Sequence, residues 1–198
     1  LPNKAKVNFQ GIVDSNPFIP TRRLFLYKNV CLSWQGIIFK NLHISPESLC
    51  YHFHKNNVNN TFLLKQWLVP KKKHYTQNII AVVHDHDASA NYYHWLIEVC
   101  PRILILREKY PNCTLLVPAP LTDYINKTTK ALGYDDLLPI ERNEIIAASE
   151  VVLAEHTSEH KDFHLHQDPV LIRKVREEIL NALNIKKISP FRHVYVSR

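Results

Sequence analysis

Glycine is scarce in this sequence. Its 198 residues include only three glycines, Gly11, Gly36 and Gly133, and no two of them are close together. A Walker A loop and the dinucleotide-binding GxGxxG turn both need clustered glycines, because only glycine lets the backbone approach a phosphate closely. The sequence therefore excludes both loops. Any nucleotide bound here must be held by other groups, or by a part of the protein outside these residues.

Long apolar runs and paired cysteines are also missing. The longest apolar runs, residues 79–83 and 103–106, fall far short of the roughly 18 residues that a membrane span needs. No pair of cysteines has the CxxC spacing of a zinc or redox site. The absence of such a pair favours a reducing compartment, although four cysteines are also enough for two disulfides. The four are Cys31, Cys50, Cys100 and Cys113.

The charge balance is basic, with a formal net charge of +7. A basic protein suits acidic partners such as nucleic acid, anionic lipid head groups or phosphorylated substrates. The positive charges are scattered, however, and the one dense run, Lys71, Lys72 and Lys73, is typical of a solvated loop. Because no nucleic-acid recognition motif is present, we expect no nucleic-acid partner. Peripheral association with an anionic membrane surface stays open.

The apolar pattern alternates between strands and helices. A hairpin is predicted over residues 23–40, with its turn at Trp34 to Gly36. Continuous apolar runs indicate strands buried on both faces; the predicted strands cover 79–83, 113–117, 137–140, 151–154 and 193–196. Helices are predicted over residues 91–109, 120–131 and 169–184, the second closed by Gly133 and the third capped by Asp168. This alternation predicts an α/β protein, with a mostly parallel, Rossmann-like sheet and flanking helices.

Three regions follow from these patterns. Residues 1–77 form an irregular and β-hairpin region, and residues 78–188 form the Rossmann-like domain. Residues 189–198 contain the last predicted strand, 193–196, as a separate third region.

The most polar loop, residues 84–91, directly follows the strand at 79–83. In open α/β sheets ligands bind at the carboxyl ends of the strands, so His86 and the carboxylates Asp85 and Asp87 are candidate site residues. On the following helix one stripe contains Asn91, His94, Glu98 and Arg102. The opposite side is expected to pack on the sheet; it contains Tyr92, Leu96, Val99, Ile103 and Leu106. The polar stripe either borders a cleft or is a solvated face, where Glu98 and Arg102 would form an ion pair worth about 0.3 to 0.5 kcal/mol. Pro101 is expected to kink the helix.

Histidines form a second constellation with a different chemistry. His156, His160, His164 and His166 alternate with acidic residues, and His84 and His86 form a further pair. Such residues could hold zinc in a metal-dependent hydrolase. The spacing does not match a hydrolase motif, so we expect no metal, and the hydrolase is kept as an alternative.

The helix sequence itself resembles a known signature. Residues 91–102 read NYYHWLIEVCPR, which is similar to the signature of glycosyltransferase family 61. That family includes bacterial capsular polysaccharide biosynthesis proteins, plant xylosyltransferases and protein O-linked GlcNAc transferases. Further similar segments are WQGI at 34–37, LLVP at 115–118, LGY at 132–134 and HVYVSR at 193–198. The resemblance covers about residues 24–198.

The resemblance implies an inverting, metal-independent and cofactor-free transferase of the GT-B fold. The chain would be its N-terminal, acceptor-side half, and a glycine-rich second half holding most contacts to the nucleotide sugar would follow Arg198. His94 or Glu98 would lie near the base position, with Asp85 and Asp87 as alternative bases or acceptor ligands. The expected substrate-binding residues are Asn91, Trp95, Arg102, His86 and Arg198.

The same resemblance sets the expected context. The substrates would be a nucleotide sugar and a glycan acceptor in surface or capsular polysaccharide biosynthesis. The location would be cytoplasmic, peripheral on the inner membrane, or the ER or Golgi lumen in a eukaryote. The isolated half would be inactive, and its uncovered face would favour self-association. A non-catalytic carbohydrate-binding or assembly module is the main alternative.

Overall fold

The computed structural model of the chain describes residues 23–41, 43–49, 64, 68, 71–85, 88, 91–156, 158–161 and 164–186. Its strands are β1 (Leu24–Ser33), β2 (Ile38–Lys40), β3 (His43–Ile44), β4 (Lys71–Tyr75), β5 (Ile80–Val82), β6 (Thr114–Pro118), β7 (Leu137–Ile140), β8 (Glu144–Ala154), β9 (Ser158–Lys161) and β10 (His164–Gln167). Helix α1 consists of an α-helical turn, a π-helical segment and an α-helical segment, Tyr92–His94, Trp95–Val99 and Cys100–Arg107. The other helices are a 3₁₀ turn (Pro46–Ser48), α2 (Asp123–Ala131) and α3 (Pro169–Ala182). The strand predicted at 193–196 lies outside the described residues.

The first eight strands form one mixed sheet, in the order β3-β2-β1-β8-β5-β6-β7, with β4 also paired to β8. Strands β8, β5, β6 and β7 run parallel, and β4 pairs parallel to β8. The hairpin strands β1, β2 and β3 are antiparallel. The expected α/β class, the hairpin and the parallel neighbours β8, β5 and β6 are therefore confirmed.

Two predicted elements need correction. The strand expected at 151–154 begins seven residues earlier, at Glu144. The reason is that β1 pairs with β8 from Ile145 to Ala154, so residues with a weak apolar pattern also join the strand. The basic run at 71–73 is not a loop: it forms β4, whose lysine side chains are exposed. Lysines on a strand at the margin of a sheet discourage pairing with other chains.

The long β1–β8 pair bends at Asn29, whose φ is +52°. Asparagine is one of the few residues other than glycine that adopt this left-handed conformation readily. Before the bend, odd-numbered side chains of β1 face one apolar cluster, and after it even-numbered ones do, as Phe25, Tyr27, Val30 and Leu32 show. Strand β8 changes parity in the same way, from Ile146 and Ala148 to Val151 and Leu153. Both halves of the pair therefore pack on the same cluster.

The parallel strands are buried on both faces. One face of β5 and β6 packs on the helices, through Ala81, Val83, Leu115 and Val117. The other face packs on the bent hairpin, through Ile80, Val82 and Leu116. This arrangement explains why these strands read as continuous apolar runs rather than as alternating ones.

Helix α1 does not have the two faces that a regular helix would give it. Glu98 and Arg102 are 1% and 0% exposed, whereas Tyr92, expected on the sheet side, is 55% exposed. The cause is the π-helical segment, in which the N–H of Cys100 donates to the carbonyl of Trp95, five residues back. This wider turn precedes Pro101, whose ring would clash with a regular preceding turn. The solvated-stripe interpretation is therefore wrong for Glu98 and Arg102.

The predicted start of α3 and the predicted end of α2 are both confirmed. The Oδ1 atom of Asp168 accepts hydrogen bonds from the N–H groups of Val170 and Leu171, at 2.9 and 3.2 Å. Gly133, with a φ of +89°, follows α2 and stops it. Of the cysteines within the described ranges, Cys31, Cys100 and Cys113 are free thiols. In the part of the chain that the structure describes, no helix is both long and apolar enough to cross a membrane.

The hairpin turn approaches β5 closely at Gly36. Its φ is +73°, and a Cβ atom placed there would lie 2.2 Å from the carbonyl oxygen of His84. Gly133 also has a positive φ, but a Cβ atom there would meet only the flexible side chain of Arg107, at 3.4 Å. A substitution at Gly133 therefore tests backbone strain alone, whereas one at Gly36 tests strain together with a steric clash.

We expect Gly36→Ala to lower the free energy of unfolding by about 3 kcal/mol, because strain and a backbone collision add. Gly133→Ala, which carries the strain alone, should lower it by about 1 kcal/mol. Urea unfolding of both variants measures the difference. Equal effects would show that the turn does not press on His84.

Candidate active site

Polar side chains gather where β5 and β8 end. His84 and Asp85 follow β5, and His156 follows β8. Because β5 and β8 are parallel neighbours, their carboxyl ends meet at one edge of the sheet. Helix α1 adds His94, Glu98 and Arg102 to the same edge. The Asn91 side chain starts this helix, since its Oδ1 accepts the N–H of Tyr93 at 2.9 Å.

His94 and Glu98 form a direct pair. The Nδ1 atom of His94 lies 2.9 Å from Oε1 of Glu98. The His94 side chain is 25% exposed, whereas that of Glu98 is 2% exposed. A ligand arriving from solvent can therefore reach the imidazole but not the carboxylate.

Asp85 lies on the inner side of the same cluster. Its Oδ1 accepts the N–H of Ala88 at 3.0 Å, and its Oδ2 lies 3.6 Å from Nδ1 of His156. These contacts hold the carboxylate in place at the end of β5. His156 belongs to the histidine-rich segment that the sequence suggested for metal binding, and the structure places it against a carboxylate instead.

Arg102 is fully buried at the end of β8. Its Nε donates to the carbonyl oxygen of Ala154 at 2.8 Å, and its Nη2 donates to the same oxygen. Its guanidinium thus binds the last residue of the strand and supplies positive charge to Asp85 and Glu98. The expected contact of Arg102 with substrate stays a prediction.

His84 links three parts of the fold. Its Nδ1 lies 3.1 Å from the carbonyl oxygen of Leu116 on β6, and its Nε2 lies 3.0 Å from that of Trp34 in the hairpin turn. Burial lowers the pKa of His84, although the two carbonyls and Asp85 oppose the shift. The His84 side chain therefore joins the hairpin turn to the sheet directly before Asp85.

The two buried carboxylates respond to this cluster in opposite directions. Burial raises the pKa of Glu98, and Asp85 adds to the rise, while His94 and Arg102 oppose it. Burial also acts to raise the pKa of Asp85, but His156, the Ala88 N–H and Arg102 outweigh it and hold that pKa below its ordinary value. Two carboxyl groups whose environments drive their pKa values apart are a recurring feature of acid–base sites.

Trp95 has a different place from the one expected. It is fully buried, and its indole N–H donates to the Thr128 hydroxyl of α2 at 2.9 Å. This hydrogen bond and the burial of the ring fix α1 against α2, and the expected contact of Trp95 with substrate stays a prediction. His86, Asp87 and Arg198 lie outside the described residues, and their roles stay predictions.

Sequence analysis assigns His84 and His156 only to a possible metal site and does not single out Tyr93, so it misses that all three lie at this edge. His84 and His156 each come directly after a buried parallel strand, and that signal could have placed them together. Tyr93, 55% exposed, contacts the His94 ring edge-on at 5.6 Å. Its exposure could not be predicted, because the helical phase depends on the π-helical segment.

The metal interpretation finds no further support among the side chains described. Within the described ranges, no group of three or more histidine, cysteine, aspartate or glutamate side chains is arranged to hold a metal ion. The side chains of His160, His164 and His166 lie outside those ranges.

The sequence profile of Glycosyltransferase 61 matches residues 92–198, just over half of the chain. The chain belongs to glycosyltransferase family 61. The match begins at α1, the helix that carries His94, Glu98 and Arg102. No curated protein and no solved structure gave a significant match. Membership of this family supports a transferase that acts on sugars.

The opposite pKa shifts predict opposite effects of pH on stability. The raised pKa of Glu98 stabilises the folded state below the unfolded value of 4.5, and that stabilisation is lost as pH rises through the folded pKa. The free energy of unfolding of Glu98→Gln should therefore rise relative to that of wild type as pH increases from 4.5 through the raised pKa of Glu98. Urea unfolding at a series of pH values measures it.

Asp85→Asn provides the matched comparison. The lowered pKa of Asp85 stabilises the folded state above the unfolded value of 3.8, and this stabilisation is lost as pH falls through the folded pKa. The variant should be less stable than wild type at neutral pH, and the gap should narrow in acid. Shifts in the same direction for both variants would contradict the opposite assignments.

Proposed function

We propose that this chain forms the acceptor-side half of an inverting, metal-independent glycosyltransferase of the GT-B fold. The enzyme would transfer a sugar from a nucleotide sugar to a glycan acceptor in surface polysaccharide biosynthesis. The observation that carries this proposal is the His94–Glu98 pair, a partly exposed imidazole bonded to a buried carboxylate at the carboxyl edge of a parallel sheet. Family membership supplies the transferase class.

His94 is the proton acceptor in this proposal. In an inverting transfer the acceptor oxygen attacks the anomeric carbon, and the bond from that carbon to the diphosphate breaks. The hydroxyl proton passes to Nε2 of His94, and the leaving diphosphate keeps the electron pair. The acceptor proton needs a base within hydrogen-bond reach, and His94 is the accessible member of the pair.

Glu98 acts through His94 as a positioning residue. Its carboxylate lies on Nδ1, so an ionised Glu98 fixes the tautomer in which Nε2 carries the lone pair. It also stabilises the imidazolium that forms after proton transfer. Asp85 stays ionised through its lowered pKa, and the positive charge of Arg102 favours the ionised form of both acids.

Exposed aromatic rings support binding of a saccharide next to this base. Tyr92 and Tyr93 are each 55% exposed at the start of α1, and the Tyr92 ring packs edge-on against Tyr124 at 5.1 Å. Aromatic faces supply large, rigid contact area at low entropic cost. We assign these two rings to the acceptor sugar.

The donor side of the proposal rests on the family resemblance. Asp87 and His86 would contact the acceptor from the loop after β5, and Arg198 would reach the diphosphate. Positive charge at a leaving diphosphate is a large source of transition-state stabilisation. With three scattered glycines, this chain offers no phosphate-binding loop of the Walker A type, so the second half would supply most of the donor site.

The proposal includes a cellular context. A cytoplasmic enzyme peripheral to an anionic inner membrane suits the basic chain, and the exposed lysines of β4 offer a surface for it.

In the protein that carries both halves, His94→Gln should lower turnover by about 10² to 10⁴, because the proton acceptor is lost. Glu98→Gln should lower kcat less, and it should shift the acid limb of the pH–rate profile because the charge behind the imidazole is gone. His74→Gln, which replaces an exposed histidine of β4, is the matched control. Nucleotide-sugar turnover across pH measures all three.

Circular dichroism of each variant checks that the fold is intact. Near-normal turnover in both His94→Gln and Glu98→Gln would remove α1 from the mechanism and leave Asp85 and Asp87 as candidate bases. Turnover by the 198-residue chain alone would contradict the proposed division of the site between two halves.

A further inference from the structure

A cleft of about 620 Å³ lies at the edge of the sheet opposite the candidate active site. Residues 76–79, which precede β5, form one wall, and residues 109–113, which precede β6, form another. Ser149 and Glu150 of β8 also line it. Its volume is in the range of small-molecule binding sites, about 300 to 1,000 Å³. It belongs to the amino ends of the parallel strands and is separate from the His94 cluster.

The cleft exists because β4 and β5 share one side of β8 without meeting. Strand β4 pairs with β8 from Glu144 to Ala148, and β5 pairs with it from Val151 to Leu153. Ser149 and Glu150 fall between the two ladders, where β8 changes parity. Both residues line the cleft at this gap.

The lining is polar and contains few charges. Gln77, Asn78 and Asn112 contribute amide side chains, each of which both donates and accepts hydrogen bonds. Lys109 and Glu150 carry opposite charges, so the cleft has no excess of one sign. Tyr110 and Pro111 add a small apolar wall. A ligand that fits this chemistry has many hydroxyl groups, no net charge and a partly apolar face.

We propose that this cleft binds a neutral saccharide. Sugar hydroxyls both donate and accept hydrogen bonds, and amide side chains match them in both roles. Lys109 and Glu150 together favour neither an anion nor a cation, and an apolar ligand would leave the amides unpaired at a cost. The proposal stands independently of the transfer reaction, because it concerns the opposite edge of the sheet and binding alone.

The test is nuclear magnetic resonance of the full chain with neutral oligosaccharides, namely maltotetraose, cellotetraose, xylotetraose and chitotetraose, each added to millimolar concentration. At least one should shift backbone amide signals of residues 76–79, 109–113 and 149–150. Gln77→Ala combined with Asn112→Ala should weaken that binding at least about tenfold. Asn143→Ala, an exposed amide in the turn before β8 and outside the cleft lining, should leave the affinity unchanged.

Each remaining outcome decides against the proposal. No shift with any of the four oligosaccharides overturns it. Shifts confined to the surroundings of His94 and Tyr93 show that saccharide binds at the candidate active site and not in the cleft, so the proposed function would stand while this inference fails. A shift of the cleft signals by inorganic pyrophosphate, without one by the sugars, shows an anion site instead.

Discussion

The candidate active site depends on one buried positive charge, the guanidinium of Arg102. Burying a carboxylate without a counter-charge costs several kcal/mol, and this edge of the sheet buries two, Asp85 and Glu98. Arg102 acts to lower the pKa of both, alongside stronger effects of His156 on Asp85 and of His94 on Glu98, while it donates to the last carbonyl of β8. The same side chain therefore ends a strand and makes the acidic cluster tolerable. A lysine could not replace it, because a single ammonium lacks the fork of N–H groups that Arg102 directs to Ala154.

Arg102 reaches this position only because α1 changes its pitch. In a regular helix the residues 92, 96, 99, 103 and 106 would share the sheet side, as their spacing indicates. The π-helical segment changes the helical phase between Tyr92, which precedes it, and Ile103, which follows it. Tyr92 is therefore exposed, whereas Glu98, inside the segment, is buried. Single π-helical turns occur often at functional sites. Here the distortion buries the carboxylate of Glu98 and the guanidinium of Arg102, both of which a regular helix would place on the surface.

The fold was largely predictable because its signals are local or simply periodic. The apolar runs at β5 and β6 indicate strands with two buried faces, and Asp168 before Pro169 indicates the start of a helix. The bend at Asn29 was not predictable, since an asparagine in a strand reads as a weak β residue until its partner β8 is known. The site divided in the same way. His94 and Glu98 could be paired by their spacing of four, but their depth, the burial of Trp95 and the contact of His156 with Asp85 all depend on packing between distant elements.

The two edges of the parallel sheet have opposite chemistry, and the topology explains why. At the carboxyl edge β5 and β8 end side by side, so the chain leaves both strands into one space and concentrates His84, Asp85 and His156 there. At the amino edge the neighbours of β8 change from β4 to β5, which leaves a gap lined by amides. A charged cluster suits proton transfer, because it moves pKa values apart. A neutral amide-lined gap suits recognition, because it offers hydrogen bonds without selecting for charge. Strand β8 thus borders both surfaces, because it ends beside β5 at one edge and changes neighbours at the other.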